Sequence, residues 1–138
     1  MPLFLRAILL TVPRFIVILA LVIGLNHLDV SPLPEWTIAI TAYALHFLIT
    51  FLFGYWAMRN IMPSLGQVFM VAGIFLLFGV LWEVGLYTWM TQSTFTDVLS
   101  GFSRESLWLL CIYAVATLLS GAYARQARVS LVSSDIGA

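Results

Sequence analysis

The chain has 138 residues, of which 62% are hydrophobic and only 9% charged, and its formal net charge is zero. Soluble domains carry about 25% charged residues, so a mean hydropathy of +1.06 excludes a soluble globular protein. All six cations are arginine and none form a basic run, which excludes nucleic-acid binding as well.

What remains is a single integral membrane domain, residues 1–128, with no room for a separate soluble one. Four apolar stretches meet the requirement of about 20 residues per bilayer crossing. Helices are expected, because only a helix satisfies its backbone hydrogen bonds within one segment. The fold class is therefore all-α, a four-helix transmembrane bundle.

The first stretch lies within residues 4–28 and is interrupted by Pro13 and Arg14. Two readings stay open. In the favoured one, Pro13 opens the membrane helix, which runs over about residues 13–28, and residues 2–12 form a short interfacial helix. In the other, the whole stretch is one kinked span and Arg14 snorkels to the headgroups. The second helix is expected over about 36–58, the third over about 67–90 and the fourth over about 106–124, with a flexible tail at 129–138. Between the third and fourth, Thr94-Phe95-Thr96-Asp97 carries the cap of a brief interfacial or re-entrant element. Short connections predict that consecutive helices pack as antiparallel neighbours.

Alternation of four helices places Arg6, Arg14, Arg59, Arg125 and Arg128 on one side, with Asp29, Glu35, Asp97 and Glu105 opposite. The positive-inside rule makes the arginine side, and both termini, cytoplasmic. The arginines then serve topology and headgroup anchoring.

Glu83 is the residue that invites a functional reading. A carboxylate inside an apolar span costs about 2.5–3.5 kcal/mol on insertion scales, so it needs a partner or water. Helical spacing sets Tyr43, His46, Thr50 and Gly54 on one face of the second helix, and Gly79, Glu83 and Tyr87 on one face of the third. The fourth helix has a stripe of Tyr113, Ala114, Thr117, Ser120, Gly121 and Ala124. Measured from Trp36 and Trp89 at about 1.5 Å per residue, His46 and Glu83 lie about 15 Å and 9 Å deep, within side-chain reach of each other.

The candidate ligand-binding set is Glu83, His46, Asp97, Tyr43 and Tyr87. Its plainer counterpart is interhelical glue, in which Glu83 bonds to His46 or Tyr43 and merely locks helices together. One histidine without a second at ligand spacing does not make a metal site, and no cofactor motif is present. The single Cys111 has no internal disulfide partner.

The order of His46-Phe47, Phe53-Gly54-Tyr55, Leu81-Trp82-Glu83 and Thr96-Asp97-Val98-Leu99 resembles the VanZ-like family of small membrane proteins. The resemblance implies a bacterial cell-envelope setting in the inner membrane, and a site at His46, Glu83 and Asp97. The chain departs from that pattern at Leu86, where a glutamine is usual, and at Ser100-Gly101, where an asparagine is. The arginine between glutamate and aspartate is also missing.

Together these features predict an envelope protein with an outward-facing polar pocket that binds a polar or cationic group of a lipid-linked or small-molecule ligand. The alternatives are a proton-coupled transporter acting as a homodimer, and a structural subunit of a larger membrane complex. Beyond the lipid bilayer itself, those would be its partners.

Overall fold

The computed structural model describes residues 1–27, 34–92, 94, 96–97 and 104–136. Those residues form four long helices, α1 (Leu3–His27), α2 (Glu35–Met58), α3 (Leu65–Thr91) and α4 (Arg104–Ile136), and no strand. Each contains a segment long and apolar enough to cross a membrane, at Leu3–Leu21, Trp36–Met58, Leu65–Trp82 and Leu107–Leu131. Ile16, Ile40, Phe69, Leu77, Val115 and other large apolar side chains are exposed along the outside. So much contiguous apolar surface is untenable in water and natural in lipid.

Helix α1 corrects the favoured reading of the N-terminal stretch. It starts at Leu3, not at Pro13, and Pro13 lies inside it. Membrane helices tolerate an internal proline because neighbouring side chains take up the freed backbone groups. In the turn before Pro13, the Thr11 hydroxyl donates to the Ile8 carbonyl at 2.7 Å.

Helix α3 starts earlier than the expected residue 67, at Leu65. Ser64 caps it in a reciprocal box, accepting from the Gln67 amide at 3.3 Å while the Gln67 side chain accepts from the Ser64 amide at 2.8 Å. The helix ends at Gln92, whose φ of 53° lies in the left-handed region that stops helices. Helix α4 overruns its expected end near residue 124 and remains helical through Ile136, so most of the supposed flexible tail belongs to it. Arg128 Nε donates to the Arg59 carbonyl at 3.1 Å and ties this extension to the α2–α3 connection.

The packing order also departs from expectation. Helix α2 packs most extensively on α4, α1 lies against α2 and α3, and α3 lies against α1 and α4. The sequential pair α2 and α3 barely touch, although a short connection joins them. They are one diagonal of the bundle, and α1 and α4 are the other. One apolar cluster joins Ala7 of α1, Ala57 and Met58 of α2, Val68 and Val71 of α3 and Ala124 of α4. The ends that carry Arg6, Arg59 and Arg125 therefore converge.

Candidate functional site

The buried face of α1 is a stripe of Ala7, Thr11, Arg14 and Ile18, spaced by three or four residues. Arg14 is thus no headgroup anchor, as topology alone suggested. It is only 3% exposed and lies about 16 Å along the helix from Leu3, near the middle of the span. Its guanidinium carbon stands 5.0 Å from the centre of the Phe75 ring and 4.5 Å from that of Tyr113. Nη2 also donates to the Phe75 carbonyl oxygen at 3.4 Å.

Tyr113 belongs to α4, so the arginine reaches across the diagonal of the bundle, supported by α3. Gly79 makes the room. A Cβ built there would come within 3.0 Å of Arg14 Nη2 and 3.1 Å of Tyr113 Cε2. A desolvated guanidinium over an aromatic face gains about 2 kcal/mol or more from the ring quadrupole. Nearby, Phe15 stacks on Trp82 with ring centres 5.0 Å apart and holds α1 in register with α3.

His46 joins the same centre from α2. It is buried, and its ring centre is 6.3 Å from that of Tyr113. Its Nδ1 lies 2.8 Å from the Ala42 carbonyl oxygen. A carbonyl can only accept, so Nδ1 carries the proton in that bond and Nε2 is the nitrogen left for other chemistry. One turn farther along α2, the fully buried Thr50 hydroxyl has no hydrogen-bond partner among the described residues.

Of the rest of the α2 and α4 stripes, Gly54, Thr117, Ser120, Gly121 and Ala124 are buried as expected while Ala114 is only half-buried, and the Thr117 and Ser120 hydroxyls are satisfied locally. Thr117 Oγ1 donates to the Tyr113 carbonyl at 2.8 Å and Ser120 Oγ to that of Thr117 at 2.7 Å. These groups allow close helix approach and do not line a polar channel. Gly54 packs so closely on Ser120 that a Cβ would meet Ser120 Cβ at 3.2 Å, and one on Gly121 would meet both Val68 methyls at 2.6 Å.

Burial changes sharply along the bundle axis at the level of this centre. Toward the end bearing Arg59 and Arg125, every helix contributes buried residues. Toward the other end, none of the described residues of α1 beyond Ile18, of α2 before His46 or of α4 before Tyr113 is buried, and on α3 only Val84 is. Among the described residues, Arg14, Tyr113 and His46 therefore lie at the level where burial falls off, between a packed half and a less buried half.

Of the residues expected at a site, Tyr43 is half-buried on α2, one turn from His46 toward the open end. Glu83 and Tyr87 lie on α3 one and two turns beyond Gly79, but their side chains fall outside the described residues. Asp97 is exposed, and its carboxylate accepts from both the amide and the hydroxyl of Thr94. The Asp97 amide donates back to Thr94 Oγ1 at 3.3 Å, so the expected cap at Thr94 forms and engages the aspartate. Residues 98–103, the rest of that expected element, lie outside the described residues. Among the described residues no three His, Cys, Asp or Glu side chains converge as metal ligands would.

Sequence reasoning missed Arg14 as an interior residue, although the signal was present. Ala7, Thr11, Arg14 and Ile18 form the same kind of small and polar stripe that marks the inward faces of the other three helices. Comparison with protein-family models, curated proteins and solved structures finds no match to this chain.

Proposed function

We propose that this is an integral membrane protein of the cell envelope whose open half is an outward-facing vestibule for the polar group of a lipid-linked or small-molecule ligand. The observation that carries the reading is the loss of burial among the described residues beyond Ile18, His46 and Tyr113. A bundle packed at one end and open at the other, with ionisable and aromatic groups at the boundary, has the form of a blind pocket. Charged groups inside a membrane bundle commonly mark such sites.

Arg14, His46 and Tyr113 form the floor in this proposal, Tyr43 lines the wall, and Glu83 and Tyr87 occupy the facing register of α3. Asp97 sits in the capped turn after α3 and acts at the rim. The resemblance of His46, Glu83 and Asp97 to the VanZ-like pattern adds a bacterial inner membrane as the setting. Arg6, Arg59, Arg125 and Arg128 still outnumber Arg104 after Arg14 is removed from the count, so the packed end and both termini are assigned to the cytoplasm. A transporter would need the packed half to part where Gly54 meets Ser120 and Gly121 meets Val68, which disfavours that alternative.

Single cysteines placed at positions 43, 50, 59 and 97 in a Cys111→Ser background test the reading with a membrane-impermeant thiol reagent applied from outside the cell. Positions 97 and 43 should be modified, and 50 and 59 protected. Labelling at 59 with protection at 97 would invert the topology, and protection at 43 alone would remove the vestibule. Envelope lipid fractions added to the solubilised protein should then slow modification of position 43 while leaving 97 unaffected. Protection by no fraction would leave the structural-subunit reading standing.

A further inference from the structure

At the opposite end from the vestibule, a groove of about 510 Å³ runs along the seam between the start of α3 and the second half of α4. It is lined by Leu65 and Val68 of α3 and by Leu118 and Gly121 of α4, with Arg125 and Gln126 lining it toward the C-terminal part of α4. The close approach of Gly121 to Val68 sets the depth of the floor, because any side chain at 121 would fill it. From Leu118 to Arg125 the groove follows α4 for about 10 Å at the helical rise, which lies within one leaflet of a hydrocarbon core about 30 Å thick.

We infer that this groove binds one anionic glycerophospholipid, with an acyl chain lying between α3 and α4 and the phosphate held at Arg125. The length and apolar lining fit a chain, and the charge at the mouth selects the headgroup. Arg125 is exposed there, and Arg128 is held close by through its bond to the Arg59 carbonyl, on the connection that leads to Pro63 of the groove. Helix α3 begins at the same mouth, so the positive end of its backbone dipole adds to the attraction. By helix position, Glu35, Asp97 and Glu105 belong to the other end, Glu83 to the far half of α3, and Asp135 to a point about 15 Å farther along α4 than Arg125. A neutral lipid could occupy the groove sterically but would leave the arginine field unused.

The test is native mass spectrometry of the full-length protein in an uncharged detergent, titrated separately with dioleoyl phosphatidylglycerol and dioleoyl phosphatidylcholine. One phosphatidylglycerol should be retained per chain at concentrations where phosphatidylcholine is not. Arg125→Gln should weaken that retention about fivefold, the weight of one arginine at an anionic surface, and Arg125→Lys should restore most of it. Ala122→Trp, which fills the groove but keeps every charge, should also abolish retention. Arg6→Gln, an equal change of charge on the diagonally opposite helix, should leave it unaltered. Equal retention of both lipids, or equal losses from Arg6→Gln and Arg125→Gln, would overturn the proposal.

Discussion

The half of the bundle around Gly54, Ser120 and Gly121 and the half beyond His46 and Tyr113 are drawn from the same four helices, yet they solve different problems. In the first, glycine, serine and alanine let backbones approach and Val68, Phe75 and Met58 fill the remaining space. In the second, Trp36, Trp89 and Trp108 are exposed. Apolar residues alone do not bring helices together in lipid, because the solvent is as apolar as they are. Close packing does. The contrast teaches that hydropathy locates a membrane helix, whereas small residues decide where along its length it is bound to its neighbours.

The largest effect should come from the boundary between the halves. Arg14→Ala removes the contacts with Phe75 and Tyr113 and the bond to the Phe75 carbonyl, and is expected to lower stability by about 2–4 kcal/mol. Unfolding in mixed micelles would measure it. Arg14→Met, which keeps an apolar stem of similar length, should lose less. Wild-type stability in Arg14→Ala would mean that the two halves are not joined through this residue.

Within the packed half, Gly121→Ala puts a methyl against both Val68 methyls. Valine is stiff about χ1, so the helices must part, at an expected cost of about 1–3 kcal/mol. The double variant Gly121→Ala with Val68→Ala should recover most of the loss in the same assay. Without recovery, the seam between α3 and α4 is not what the glycine serves.

The same substitution in the open half should act in the opposite direction. A Cβ at Gly85 meets nothing, so Gly85→Ala should be neutral or stabilising by up to about 1 kcal/mol through helix propensity. A loss comparable to that of Gly121→Ala would show that both halves are packed alike. Smallest of all, Thr94→Ala removes the reciprocal cap with Asp97 and should cost about 0.5–1 kcal/mol locally. Faster amide exchange at residues 96–97, with global unfolding unchanged, is the expected signature.

Much of the architecture is legible in the amino-acid sequence. Long apolar runs require helices, since a lipid environment supplies no partner for a backbone group, and each of the four runs is helical. The spacing of His46, Thr50 and Gly54, and of Tyr113, Thr117 and Ser120, identifies the inward faces of α2 and α4, and Thr94 with Asp97 identifies the turn after α3. These are local properties, carried by periodicity and by groups within a few residues of one another. The start of α3 is equally local, because Ser64 and Gln67 are a capping pair, although the apolar run by itself points two residues too late.

Other features depend on residues distant in sequence. That Pro13 sits inside α1 is not legible locally, because proline by itself favours a first turn. That α2 and α3 stand on a diagonal, despite the short connection between them, follows from the better fit of Gly54 against Ser120 of α4. The position of Arg14 is the clearest case. Its stripe with Ala7, Thr11 and Ile18 marks an inward face, but that its guanidinium meets the rings of Phe75 and Tyr113, supplied by two other helices, in the space left at Gly79 is shown by the structure. Sequence determined how many helices are long and apolar enough to cross a bilayer and which faces of α2 and α4 turn inward, because solvation acts on each helix separately. Tertiary structure alone decided which helices touch and where the buried charge lies, because packing is a property of pairs.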